Sequence, residues 1–137
     1  MRLSKRIVTL VALMATSLAT AASFPMQAAA DDQPVDYEVG KALICDTQAQ
    51  AERFVASFHG DAPAAIGVVN AEEHDPTACA IMNVTYVRGA SLGTARNRDD
   101  AFEIVRILVI AVESENAMRP VRPAAYFSLL RVKEFAV

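Results

Sequence analysis

Cysteine and histidine are both scarce in this sequence, with two of each among 137 residues. Two cysteines leave one possible pairing, Cys45 with Cys79. The histidines, His59 and His74, have no G-x-S-x-G elbow to serve, so a hydrolytic triad of the common kind is not indicated. Neither an H-E-x-x-H pair nor an EF-hand loop occurs. The run Glu72-Glu73-His74-Asp75 therefore reads as a solvated helix end rather than a metal site, because adjacent side chains on one turn point apart. Positive charge is also in deficit, with 13 basic against 16 acidic residues. An acidic chain argues against general nucleic-acid binding, which depends on phosphate neutralisation.

Long hydrophobic runs are missing except at the start. Residues 7–22 are apolar and uncharged, follow Arg2, Lys5 and Arg6, and precede Pro25 and Ala28-Ala29-Ala30. That order is a secretory signal peptide, expected to be removed near residue 30. The apolar run is shorter than the ~20 residues a membrane span needs. A lipoprotein anchor is not expected, because the bulky Ile44 precedes Cys45 where a small residue is required. The remainder, residues 31–137, suits a single small domain. It carries 10 basic and 16 acidic residues, a net charge near −6. Residues 31–87 hold ten of the acids and only two bases, whereas residues 88–137 hold eight bases and six acids. That asymmetry points to an arginine-bearing face. An exported chain enters an oxidising compartment, so Cys45 and Cys79 are expected to be joined, and the protein to be periplasmic or secreted.

Periodicity orders the rest. Ala42-Leu43-Ile44-Cys45 reads as a short strand. Thr47-Gln48-Ala49-Gln50 fits a capping box, with Ala51, Phe54, Val55 and Phe58 forming one helical stripe behind it. Gly60 can end that helix, and Asp61 with Pro63 can start a second. Glu72 and Glu73 oppose the macrodipole at its end, so fraying is expected there. From Cys79 the period becomes two: Ala80, Met82, Val84 and Tyr86 on one face, Ile81, Asn83, Thr85 and Val87 on the other. Gly89 is expected to end this strand, with residues 92–96 a separate short one. Asn97-Arg98-Asp99-Asp100 reads as a turn. Residues 102–112 are apolar on both faces, interrupted by Arg106, and predict a central strand covered on both sides. A hairpin turn follows at Ser114-Glu115-Asn116-Ala117. Pro120 and Pro123 mark a loop or edge segment, and residues 126–132 the last strand. The predicted fold is α+β: a strand, two short helices, then a three- or four-stranded curled antiparallel sheet with one disulfide. Helices can cover one face of that sheet, and its curvature must cover the other.

Ile44-Cys45-Asp46-Thr47 ahead of a short helix, a second cysteine after a linker over residues 70–76, and a closing Val105-Arg106-Ile107 strand resemble small uncharacterised exported proteins of alphaproteobacteria. The resemblance implies a bacterial exported protein with one disulfide and no particular activity. The sheet half is also similar in rhythm to bacterial SH3-like barrels.

Arg96, Arg98, Arg119 and Arg122 fall in two expected loops. If those loops meet at one end of the sheet, they form a cluster of forked donors for carboxylate or phosphate groups. The reading these features favour is a non-enzymatic binding or envelope module that needs no cofactor and recognises a protein, peptide or glycan through those arginines. The alternative is a small hydrolase or metal-dependent enzyme using His74 or Asp100. Asn83-Val84-Thr85 matches a glycosylation sequon but sits mid-strand, where loop access is absent.

Overall fold

The computed structural model describes residues 34–132; the expected signal segment, residues 1–30, lies outside them. The described chain forms β1 (Tyr37–Cys45), α1 (Gln48–Ser57), α2 (Ala62–Glu73), β2 (Cys79–Arg96), β3 (Ala101–Ser114) and β4 (Ala117–Arg131). All strand pairs are antiparallel and the sheet closes in the order β1-β2-β3-β4. The α+β class and the strand–helix–helix–sheet order are those expected, with three strands after the helices.

β1 and β2 pair without a register break from Tyr37 opposite Val87 to Cys45 opposite Cys79. Both helices are thus an excursion between two strand ends that lie side by side. The cysteines are directly opposed, 4.2 Å apart at Cα, and disulfide-bonded. Both are fully buried. Asn70 of α2 extends the same pairing. Its Oδ1 accepts from the Cys79 amide at 2.8 Å, and its Nδ2 donates to the carbonyls of Cys79 at 3.0 Å and Pro76 at 2.8 Å. The side-chain amide acts as one more strand residue alongside Cys79.

The helix starts follow the sequence. Thr47 Oγ1 accepts from the Gln50 amide at 3.2 Å, and Gln50 Oε1 accepts from the Thr47 amide at 3.1 Å. Asp61 caps α2 through Ala64, with proline in the first turn. α2 keeps helical geometry through Glu73, the end where fraying is expected. Arg53 of α1 donates to both oxygens of Glu72, at 2.8 and 2.7 Å, and Gln50 donates to Glu73 at 3.3 Å. Cross-helix partners thus offset the unfavourable dipole, and the hydrogen bond from Arg53 holds the Glu72 carboxyl below the usual carboxylate range. His74 closes the helix in the left-handed region, φ 54°.

Strand boundaries are corrected at three places. β1 begins at Tyr37 rather than Ala42, and β4 begins at Ala117 rather than residue 126, so Arg119, Pro120, Arg122 and Pro123 lie within a strand and not in a loop. β2 runs on as a single 18-residue strand rather than ending at Gly89. It bends through register shifts between Arg88 and Gly93. Glycine permits this because a Cβ on residue 89 would stand 2.7 Å from the Arg106 carbonyl oxygen, while Gly93 has φ 146°. The β3–β4 turn has positive φ at Glu115 (53°) and Asn116 (62°), the requirement of a type I′ hairpin.

Two cores result. Under the helices, Phe54, Val55, Ala65 and Val69 pack on Cys45, Cys79, Phe102 and Ile104. Phe58 stacks with Phe54 at 5.5 Å and meets Phe102 edge-on at 5.8 Å. Inside the curl, Ile44, Val84, Val105, Ile107 and Val109 form the second cluster. The central strand is therefore covered on both sides where expected, but not throughout. Arg106 and Leu108 of β3 face outward and are exposed. Arg106 breaks the apolar run because the helices stop short of it.

Tyr86 gives the barrel an alkaline limit. Its hydroxyl donates to Glu38 at 2.6 Å. Burial first, and then Glu38, push the phenol up from 10.0 to about 12. The folded state thus holds this proton where the unfolded chain would release it. The stabilisation is complete below pH 10 and is lost as pH rises toward about 12. Urea unfolding midpoints should fall across that window and fall less in Tyr86→Phe. An identical fall in the variant would remove Tyr86 as the cause.

Candidate functional site

Barrel closure between β1 and β4 rests on one pair, Cys45 opposite Phe127. Away from that pair the two strands run side by side without pairing. β4 also leaves its register with β3: Ala124 faces Val109 and Pro120 faces Ala111, so Val121, Arg122 and Pro123 have no partner position. Two prolines lacking amide donors suit such a stretch. The register shift lies where β4 runs between β3 and the β1 seam.

A cleft of about 340 Å³ lies beside that irregularity. Its floor is the inner core, with Ile44, Val84 and Val109 all buried. Ala80 and Met82 line it from β2 and Val112 from β3. From β4 come Arg122, Ala124 and Tyr126, alternate residues of one strand face, so a cation and a phenol flank a small residue. Val121, Asp46 and Thr77 complete the lining. Partial burial and then the neighbouring Asp75 carboxylate push Asp46 above the usual carboxylate range. Asp75 itself is held low, chiefly by the Thr77 amide and then by its hydroxyl. Among the described residues, Arg122 has no hydrogen bond or ion pair, whereas Arg53, Arg88, Arg119 and Arg131 each hold a carboxylate. The chemistry on offer is apolar contact with one free forked donor.

A second, polar cleft of about 330 Å³ lies at the β2–β3 turn. Arg96, Arg98, Asp99, Asp100 and Arg131 line it. Arg131 reaches Asp100 at 3.3 Å and lies over the Phe102 ring. Its charges largely answer one another. The turn is rigidly held: Asn97 accepts from the Asp99 and Asp100 amides at 2.9 and 2.7 Å and donates to the Val55 and Phe58 carbonyls at 3.1 and 2.7 Å.

The four arginines expected to converge thus fall in three places. Arg96 and Arg98 sit at the polar cleft, Arg122 at the apolar one, and Arg119 pairs with Glu115 at 3.1 Å. Arg96 stands opposite Ala101 at one end of β3, whereas Arg119 pairs with Val112 near the other. They are separated by roughly 36 Å of strand at 3.3 Å per residue. Nor do the candidate catalytic residues meet. His74 follows Glu73, which touches the first turn of α1, while Asp100 belongs to the turn held at its other end. A ten-residue helix, about 15 Å long, separates them. Among the described residues, no group of three or more His, Cys, Asp or Glu side chains is arranged to hold a metal. Asn83, the sequon residue, lies mid-strand and bonds Glu113.

The apolar cleft escaped the sequence reading because it is made by a failure of pairing. The available signal was an alternating strand that places Arg122, Ala124 and Tyr126 on one face between and beyond two prolines. In class, the molecule is a small disulfide-linked α+β barrel, closed along one seam by a single strand pair. No protein-family model, curated protein or solved structure matches the chain.

Proposed function

We propose that this is an exported, non-enzymatic binding module whose ligand seats in the cleft beside the sparsely paired β1–β4 seam of the barrel. The observation that carries the reading is the 340 Å³ apolar cleft whose lining holds a guanidinium, Arg122, with no partner among the described residues. Its volume lies in the range of small-molecule sites, and its lining has their usual character, mostly apolar with a few polar groups. Of the arginine face expected from sequence, Arg122 is the member that serves this site. Export is supported by the buried Cys45–Cys79 bridge, a bond that persists in oxidising compartments. Among the described residues, no helix is long and apolar enough to cross a membrane.

Binding is tested with N-phenyl-1-naphthylamine, an uncharged fluorophore that brightens in apolar surroundings. The oxidised protein should enhance its emission saturably, and Ala124→Phe or Ala80→Phe, which fill the cleft, should abolish the enhancement while circular dichroism is unchanged. Absent or undiminished enhancement would refute the cleft as a site. Export is tested by intact mass of the protein recovered from a bacterial host. Loss of about thirty N-terminal residues is expected; a full-length mass would overturn it.

A further inference from the structure

We infer that the ligand class is a single-chain amphiphile with a carboxylate head, its chain in the cleft and its head on Arg122. This rests on the binding reading above and adds the chemistry of the occupant. The cleft has an apolar floor in Val84 and Val109 and one cation with no protein partner among the described residues. A guanidinium engages a carboxylate through two parallel donors, and such charge-assisted bonds are stronger than neutral ones. Tyr126, on the same strand face, also has no hydrogen bond among the described residues and offers a further donor.

Size and charge narrow the occupant. At the ~30 Å³ that one water takes in the liquid, 340 Å³ holds about eleven heavy atoms, a medium-length chain. The lining holds one guanidinium, Arg122, and already one carboxylate, Asp46, so each further negative charge on an occupant adds repulsion from Asp46. A phosphate monoester, with nearly two charges, is therefore matched less well. A peptide strand is disfavoured for a different reason. Strand addition relies on main-chain hydrogen bonds along a free edge, and Pro120 and Pro123 remove two donors from β4.

The test is displacement of N-phenyl-1-naphthylamine from the oxidised protein by decanoate, decanol, decyltrimethylammonium and decyl phosphate. Decanoate should displace it about tenfold more tightly than decanol, the order of one charge-assisted contact in a wet site. Decyl phosphate and the cation should be weaker than decanoate. Arg122→Gln should bring decanoate level with decanol, each measured against that variant's own fluorophore affinity, whereas Arg106→Gln, outside the cleft, should keep the wild-type preference. Equal affinity for decanoate and decanol, retention of the preference in Arg122→Gln, or tighter binding of decyl phosphate would each overturn the carboxylate assignment with the cleft left standing. Failure of the fluorophore to bind the wild-type protein would instead refute the binding reading itself.

Discussion

Reduction of the Cys45–Cys79 bridge, or its replacement by the Cys45→Ala/Cys79→Ala pair, is expected to cost about 3.8 kcal/mol of stability on chain-entropy grounds. The bond closes a separation of 34 residues, which sets that figure. The closed loop contains both helices, so reduction releases most of the helical layer from its anchor. For a domain of this size, the loss corresponds to a fall in melting temperature of about 15–30 °C. Two local features moderate it. The opposed strand positions remain paired, and Asn70 still bonds the Cys79 backbone. Thermal melts with and without reductant measure the effect directly. A change of only a few degrees would mean that β1–β2 pairing and Asn70 alone hold the ends of the excursion together.

Asn97→Asp is expected to destabilise by about 3 kcal/mol, although it changes a single atom type. The side chain is saturated: two donors grip the Val55 and Phe58 carbonyls at the end of α1, and its oxygen accepts two turn amides. An aspartate keeps the acceptor function and loses both donors. It also sets a negative charge against two carbonyl oxygens at the negative end of a helix dipole. Asn97→Ala removes both functions without adding the charge and should cost about 2 kcal/mol. If Asn97→Asp were as stable as wild type in urea titrations, the contact between turn and helix would have no energetic role. Nearby Arg98 is a suitable control, because it is exposed and outside this network.

Local signals were legible wherever neighbours in sequence meet in space. The capping box at Thr47 and Gln50, the Asp61 cap, the two-residue turn at Glu115-Asn116 and the apolar stripe of α1 all involve partners within a few residues. The pairing of Cys45 with Cys79 was legible for a different reason: only one pairing existed. The errors share a cause as well. Gly89 was expected to end a strand, but it allows close passage beside Arg106, a residue distant in sequence. The partners of Glu72 and Glu73 were hidden in the same way, because Arg53 and Gln50 reach them from the other helix.

The amino-acid sequence alone determined the class of this protein, its helix caps, the alternation of its strands and its single covalent link. Each of these depends on residue type and short-range spacing. Tertiary structure decided which arginine faces an apolar cleft, why His74 and Asp100 lie at opposite ends of a helix, and where the barrel closes on one pair. Those outcomes depend on strand register and on the single closing pair of Cys45 and Phe127. Register is set by many weak cross-strand contacts acting together, so it cannot be read from any one stretch of the chain.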